Sequence, residues 1–127
     1  MPNPFFKFKQ FTVYHDRCAM KVGTDGVLLG SYVSLPSAGR VLDVGTGTGL
    51  VAMMIAQRGT SNLKIDAIEI DKDASEQAAE NIGKTAWSNR IRVINSDFTE
   101  FCPQQKYDLI VSNPPYFENS LRCTATN

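Results

Sequence analysis

Cysteine is scarce in this sequence, and charge of neither sign is in excess. The three cysteines, Cys18, Cys102 and Cys123, are widely spaced and form no C-x-x-C pair. This odd, scattered set suits neither a disulfide framework nor a structural zinc site, so we expect no bound metal and a reducing, cytoplasmic environment. Thirteen basic and thirteen acidic side chains give a formal net charge of zero. Bulk charge therefore gives no argument for or against a polyanionic partner, and any nucleic-acid surface must be local.

Long hydrophobic runs are also missing. The N-terminus lacks the extended apolar segment of a secretory signal, and nowhere do about 18 consecutive apolar residues occur. We therefore expect a protein that is neither exported nor embedded in a membrane. The 127 residues, 43% of them apolar and 20% charged, are typical of one ordinary globular domain.

An N-terminal arm, residues 1–24, precedes the main domain, which we assign to residues 25–127. Residues 5–14 partly alternate aromatic and polar positions, which favours a short strand or hairpin. Thr24 can cap a short helix that Pro36 closes. The apolar face of this helix comprises Val27, Leu28 and Val33.

The main domain alternates β-branched or apolar runs with amphipathic segments. The runs predict strands over residues 40–44, 64–70, 91–95 and 107–112. The segments predict helices over residues 49–58 and from Asp71 or Asp73 to about Trp87, with a short helix or turn near Pro103. The first helix has Val51, Met54 and Ile55 on one face, and the second has Ala78, Ala79 and Ile82 at inward positions. Unbroken apolar stretches such as Leu109-Ile110-Val111 fit a parallel sheet covered on both faces, so the predicted fold class is α/β.

Three alternating glycines, Gly45, Gly47 and Gly49, stand between the first strand of this sheet and the helix that follows. Without Cβ atoms the turn can be tight, a ligand can approach the backbone closely, and helix amides point at it. A nicotinamide-type fingerprint would need glycine in place of Leu50, and would not ordinarily carry the carboxylate of Asp43. That carboxylate suits a positively charged ligand, such as the ammonium group of a methionine moiety. A bare glycine-rich turn remains the alternative.

Further acidic residues follow the next two strands. Glu69 lies about 20 residues beyond the glycines, where an acidic side chain can accept hydrogen bonds from both hydroxyls of a ribose. Asp97 follows the third strand and can accept from an adenine amino group, while Phe98 stacks on the ring. Each alone can also be a solvated carboxylate at a strand end. Together with Asp43 they converge on the crevice where open α/β sheets bind ligands.

The segments VLDVGTGTG, IEID and NSDF resemble the successive cofactor motifs of class I S-adenosylmethionine-dependent methyltransferases. That resemblance implies S-adenosylmethionine as the cofactor and a doubly wound, Rossmann-like sheet. It also implies that Asp43 and the three glycines lie near the methionine and sugar, Glu69 on the ribose, and Asp97 near the adenine.

The fourth strand ends in Asn113-Pro114-Pro115-Tyr116. Two successive prolines fix their own φ angles and bias the preceding residues towards extended backbone, so this loop is stiff. The exocyclic nitrogen of adenine is a poor nucleophile because its lone pair is delocalised into the ring. The side-chain oxygen of Asn113 and the carbonyl of Pro114 can accept hydrogen bonds from its two N–H groups, while Tyr116 stacks on the extruded base. We therefore predict a catalytic site at these four residues, with a rigid structural turn as the alternative.

The N-terminal arm gives further information about the class of substrate. Residues 1–24 carry four basic side chains against one acidic, interleaved with aromatic residues that can stack on unpaired RNA bases. For most of these aromatic residues we prefer another role, which is to cover the open end of the sheet. The stretch from Phe8 to Gly30 resembles the bacterial tRNA(Val) adenine-N6 methyltransferase family, which modifies the adenosine beside the anticodon. This resemblance implies a tRNA substrate, and it implies Lys21, Thr24 and Asp25 at the cofactor entrance.

Two alternatives remain open at this point. One is a glutamine-N5 methyltransferase of the release-factor type, because the Asn-Pro-Pro-Tyr motif indicates a planar, unreactive nitrogen and not a particular molecule. The other is a non-catalytic S-adenosylmethionine-binding fragment. A class I sheet normally has seven strands and this pattern supports about four, so we interpret the chain as the N-terminal part of a longer enzyme that alone would not methylate RNA. The fourth strand would then be an exposed apolar edge, through which we expect self-association.

Overall fold

The fold is an α/β arrangement built on a parallel four-stranded sheet. The structure, a computed structural model, describes residues 5–7, 12–14 and 24–113. A two-stranded hairpin comes first, and the sheet with its helices follows. The elements are β1 Phe5–Lys7, β2 Thr12–Tyr14, α1 Thr24–Tyr32, β3 Gly39–Val44, α2 Leu50–Arg58, β4 Leu63–Glu69, α3 Lys72–Gly83, β5 Ile91–Asn95 and β6 Leu109–Ser112, with 3-10 helices at Ser88–Arg90 and Phe98–Glu100.

The strands of the main sheet lie in the order β5-β4-β3-β6, and every neighbouring pair is parallel. The order reverses beside β3, because β4 and β5 extend the sheet on one side and β6 joins on the other. Open α/β sheets bind ligands at the carboxyl ends of the strands at such a reversal. The predicted α/β class and parallel sheet are confirmed. The predicted strand over residues 91–95 is reproduced in full, and the limits of the other strands differ from the prediction by one or two residues.

One face of the sheet, covered by the helices, carries the main hydrophobic core. Inward side chains of all four strands, among them Val41, Ile65 and Val111, are buried there. They pack in one cluster with Val51 and Ile55 of α2, as predicted for that helix. Burying apolar surface in this way is the main free-energy gain of the fold, and it fixes the directions in which the strand ends point.

Helix α1 packs across α2 along a line of glycines. A Cβ on Gly30 would lie 2.6 Å from the Met54 sulfur, so the two helices touch at this point. Met54 is half-buried between the two helices and packs against the core, while its neighbour Met53 is fully buried. Leu28, which was predicted to lie on the apolar face of α1, is 49% exposed, because the contact line runs through Gly30 on another side of the helix.

The ends of the helices depart from the predicted limits. Thr24 is the first helical residue of α1, not the residue before it, and α1 ends at Tyr32, four positions before Pro36. Helix α3 is capped by Asp71, whose side chain accepts a 2.9 Å hydrogen bond from the Ala74 backbone nitrogen. It ends at Gly83, short of Trp87, because the chain turns there. Of the predicted inward residues, Ala78 and Ile82 are buried and Ala79 is exposed.

The hairpin of β1 and β2 confirms the strand prediction for residues 5–14, with Phe5 paired to Tyr14. The Val13 side chain is fully buried in the main core. The backbone of Tyr14 is held by Asn81 of α3, which accepts from the Tyr14 nitrogen at 2.9 Å and donates to the Tyr14 oxygen at 2.8 Å. The described part of the arm is thus fastened to α3 by a two-sided amide contact.

Strand β6 is an edge of the sheet within the described part of the chain. Ile110 is 57% exposed, so the prediction of an apolar edge is correct for this residue. It is wrong for Val111, which faces the helices and is buried, while Leu109 is half-buried. None of the helices in the described ranges has the length and apolar content that crossing a bilayer requires.

Candidate functional site

The candidate site forms around the turn that joins β3 to α2. Gly45, Gly47 and Gly49 have φ angles of 72°, 55° and 87°, in the left-handed region that other residues rarely adopt. A Cβ on Gly45 or Gly47 would meet no other atom within 4 Å, so the turn opens into free space there. A Cβ on Gly49 would lie 3.3 Å from Ile82, because this glycine packs on α3. Two glycines therefore face an opening, and the third lets the turn approach the helix.

Asp43 is the buried carboxylate beneath this turn, and only 1% of the residue is exposed. It accepts a 2.7 Å hydrogen bond from the Thr46 hydroxyl and a second one from the Ala52 backbone. Burial raises the pKa of Asp43 to about 7, and the neighbouring charge of Glu69 adds to the rise, while the two hydrogen bonds oppose it. A carboxyl group with this pKa ionises readily when a positively charged ligand group approaches.

Glu69 reaches from the end of β4 to the glycine turn. Its Oε1 accepts a 2.8 Å hydrogen bond from the Gly47 backbone nitrogen, and its Oε2 accepts a 3.1 Å bond from the Asp71 nitrogen. The carboxylate thereby joins the turn to the start of α3, a structural role that the sequence pattern did not indicate. An ionised carboxylate offers about four acceptor positions, so roughly half of them remain for the hydroxyls of a ligand.

Asp97 and Phe98 lie just beyond the end of β5. Asp97 Oδ1 accepts hydrogen bonds from the backbone nitrogen and hydroxyl of Thr99 at 2.9 and 2.8 Å, and these bonds lower the pKa of Asp97. The Ser96 nitrogen donates to the Glu69 carbonyl at 3.1 Å, which holds this segment against the end of β4. The Phe98 side chain is exposed and accessible for stacking.

Asn113 follows β6 directly and is half-buried. Val44 pairs with Ser112, so Asn113 and Gly45 stand at neighbouring strand ends. A Cβ on Gly26 would lie 3.1 Å from the Asn113 side-chain nitrogen, which shows that this side chain rests against the first turn of α1. Asn113 therefore shares the carboxyl edge of the sheet with Asp43 and Glu69.

The other predicted site residues are less completely described. Thr24 and Asp25 are the first two residues of α1 and adjoin Gly26. Four predicted residues lie outside the described part of the chain, namely Lys21, Pro114, Pro115 and Tyr116.

Asn81 is a residue of this region that the sequence pattern did not identify. Its side chain is fully buried and donates to the Thr48 carbonyl at 2.9 Å as well as to that of Tyr14. It therefore ties the glycine turn to the hairpin. The available signal was a polar side chain next to Ile82 on the inward face of α3, because a buried amide needs partners for both its donor and its acceptor.

Comparison with known proteins gives a consistent result. Residues 18–126 match the family model of the methyltransferase small domain. The chain is 60% identical over 128 residues to the tRNA1(Val) (adenine(37)-N6)-methyltransferase of Parabacteroides distasonis, covering 99% of this chain and 53% of the relative. It is 58% identical over 123 residues to the protein of the same name from Bacteroides thetaiotaomicron, covering 97% and 52%. The chain thus spans about half the length of the curated relatives it matches.

A solved structure supports the same architecture. A SAM-dependent methyltransferase from Aquifex aeolicus superposes with a TM-score of 0.56 at 25% sequence identity, over 62% of this chain and 42% of that chain. The Rossmann-like fold implied by the sequence motifs is therefore confirmed.

Proposed function

The chain belongs to the methyltransferase small domain family, and from this premise we propose that the enzyme of which it forms part methylates the N6 nitrogen of an adenosine in tRNA, with S-adenosylmethionine as the methyl donor. The finer target that we propose is the one in the relatives' name, adenine 37 of tRNA1(Val). The observation that carries the proposal is the meeting of Asp43, Glu69 and Asn113 beside an open glycine turn. Because tRNA is modified inside the cell, the proposal includes a cytoplasmic location.

The residues at the carboxyl edge fit S-adenosylmethionine. Asp43 offers a buried negative charge to a positive group, and the free space in front of Gly45 and Gly47 lets a ligand reach the backbone. Glu69 keeps acceptor positions for the ribose hydroxyls. We assign Asp97 as the acceptor for the adenine amino group and Phe98 as the stacking surface for its ring. When bound, the cofactor supplies an electrophilic methyl group on a positively charged sulfur.

The amino nitrogen of the target adenine needs acceptors that orient it. Asn113 provides a side-chain oxygen at the end of β6, one residue beyond the pairing of Ser112 with Val44. We assign the second acceptor to the carbonyl of Pro114 and the stacking surface to Tyr116, with Pro115 keeping the loop stiff. Two acceptors on the two N–H groups turn the lone pair of the nitrogen towards the methyl group.

A tRNA substrate is favoured over a glutamine amide by two observations. The similarity to the tRNA-modifying relatives covers 97% to 99% of this chain, including the N-terminal arm. In addition, a cation adjoins the described part of that arm, because the ammonium of Lys84, the residue after α3, lies 4.4 Å from the centre of the Tyr14 ring.

The test is methyl transfer by the native protein to purified tRNA with labelled S-adenosylmethionine, followed by mapping of the labelled nucleoside. We expect label in N6-methyladenosine beside the anticodon of tRNA1(Val). Asn113→Ala should lower kcat by about two to three orders of magnitude, as the loss of a transition-state hydrogen bond does. Asn62→Ala, at an exposed turn before β4, is the matched control and should keep full activity.

Two outcomes would contradict the proposal. One is label on a release factor instead of RNA. The other is full tRNA methylation by Asn113→Ala with an unchanged kcat.

A further inference from the structure

A cavity of about 710 Å³ lies at the end of the sheet opposite the candidate site. Its floor consists of side chains of β3, β4 and β5, and residues 101–105 with Tyr107 form a wall. The strand residues in the floor are Arg40, Lys64, Asp66, Ile91, Arg92 and Ile94. Lys64 in this cavity and Glu69 at the candidate site are five residues apart on β4, which corresponds to about 16 Å along a strand. The two sites therefore occupy opposite ends of one rigid element.

The cavity is strongly cationic although the chain as a whole is neutral. Four basic side chains line it against a single acidic one, Asp66. The basic residues are Arg40, Lys64, Arg90 and Arg92. One carboxylate can balance only one of them, so positive charge remains in excess by three.

Asp66 is fully engaged by its neighbours. It accepts hydrogen bonds from Arg40 at 2.7 Å, from Arg92 at 3.2 Å and from the Tyr107 hydroxyl at 2.5 Å. Burial works against the charge of Asp66, but these hydrogen bonds prevail and lower its pKa. Asp66 thus stays ionised and fixes the two arginines without neutralising the remaining cations.

Some of the hydrogen-bond donors among the lining residues are unused. The Arg92 side chain is 66% exposed and keeps one guanidinium nitrogen that does not bind Asp66. Lys64 is exposed and makes no hydrogen bond or ion pair with any residue that the structure describes. The amide side chains of Asn89 and Gln104 add neutral donors to the lining. Cations spread over three strands fit a chain of phosphates better than one compact anion, which needs converging donors.

We propose that this cavity binds the sugar-phosphate backbone of the substrate RNA at a distance from the methylated base. The inference rests on the proposed function, because it assigns the RNA to that reaction. Double-stranded DNA carries one phosphate per strand every 3.4 Å of its axis, and by this measure about 16 Å corresponds to about five base pairs. The stem that adjoins a modified loop is long enough to reach from the candidate site to the cavity.

The experiment measures binding of the native protein to tRNA by fluorescence anisotropy over a series of salt concentrations. Lys64→Gln removes a cation without breaking a described contact. Because each released counterion contributes about 0.9 to the slope of log affinity against log salt, we expect the slope to fall by about one and the affinity to fall about five-fold at physiological salt. Lys64→Arg should restore both values.

Two controls separate this cavity from general charge loss. Lys72→Gln removes the same charge from the exposed start of α3 and should leave the slope unchanged. The effect of Lys64→Gln should also disappear with a stem-loop whose stem is cut to about two base pairs, since such an RNA cannot span the strand. In methylation assays Lys64→Gln should raise the KM for tRNA and leave kcat and the KM for the cofactor as they are.

The two proposals can fail separately. If the protein methylates tRNA and Lys64→Gln changes neither the salt slope nor the KM, the cavity proposal is overturned and the function stands. If the slope depends on Lys64 but no RNA is methylated, the cavity proposal is supported and the function fails. The cavity proposal would also be overturned if Lys64→Gln and Lys72→Gln lowered the RNA affinity equally, with long and with short stems.

Discussion

Removing the buried carboxylate beneath the glycine turn should change how the stability of the protein depends on pH. In the folded protein the pKa of Asp43 is about 7, compared with 3.8 for an unperturbed aspartate. The folded state therefore holds this proton more tightly than the unfolded chain does. The resulting stabilisation is fully present below about pH 4 and is lost as the pH rises through about 7. A shift of this size corresponds to about 4 kcal/mol, of which about 3 kcal/mol is lost between pH 5 and pH 8.

Asp43→Asn keeps the shape of the side chain and an acceptor for the Thr46 hydroxyl while removing the ionisation. We therefore expect the free energy of unfolding, measured in urea, to fall between pH 5 and pH 8 in the wild type. This fall should exceed the fall in the variant by about 3 kcal/mol. Asp73→Asn, on the exposed first turn of α3, is the matched control and should follow the wild type. If the stability of the wild type and of Asp43→Asn depended on pH in the same way, Asp43 would not be the cause of the pH dependence.

The same ionisation should appear in cofactor binding. A positive ligand group beside Asp43 favours its charged form, so the affinity of the wild type for S-adenosylmethionine should rise with pH up to about 7 and then level off. Calorimetry in buffers of different ionisation enthalpy should detect proton release on binding below pH 7. Asp43→Asn should bind more weakly, with no such proton release. Proton release by the variant equal to that of the wild type would assign the titration to another group.

Three further perturbations test the remaining parts of the site and the sheet edge. Glu69→Gln should weaken cofactor binding about ten-fold or more in equilibrium dialysis, because the amide cannot accept from both Asp71 and a ribose; unchanged affinity would contradict this role. Gly26→Ala places a methyl group 3.1 Å from the Asn113 amide, so kcat should fall about ten-fold while cofactor affinity is retained; a fall in affinity alone would place the effect elsewhere. Ile110→Asn should reduce self-association in sedimentation velocity, and equal association of both forms would exclude this edge.

The residues at the strand ends could be predicted because they depend on local patterns. Glycines at positive φ mark the turn wherever the rest of the chain lies, and a carboxylate that follows a β-branched run must stand at a carboxyl end. These rules place Asp43 and Glu69, and Asn113 was placed by the Asn-Pro-Pro-Tyr segment that follows the fourth predicted strand. Their secondary contacts do not follow from such rules, since the bond between Glu69 and the Gly47 nitrogen depends on the pairing of β3 with β4.

The inward faces of the helices and the buried polar contacts could not be predicted to the same extent. Whether Leu28 or its neighbour faces inward depends on the rotation of α1 against α2, which a close approach at Gly30 decides. Asn81 bonds to Tyr14 across 67 positions of sequence, and Asp66 bonds to Tyr107 across 41. The short-range periodicity of a sequence contains no information about such distant pairs. A single sequence shows only that a polar residue stands at a buried position and needs a partner.

Although the net charge of the chain is zero, the two ends of the sheet carry charges of opposite sign. The carboxyl edge gathers Asp43, Glu69 and Asp97, which suit a cationic cofactor but repel phosphates. An RNA substrate must therefore bring only its target base to that edge and be held by its backbone elsewhere. The amino edge around Lys64 and Arg92 supplies cations about 16 Å away, and charges separated by more than about 8 Å are largely screened from each other at physiological salt. The parallel sheet thus separates the acidic cofactor site from the basic cavity, so that the charge at one edge does not cancel the electrostatic field at the other.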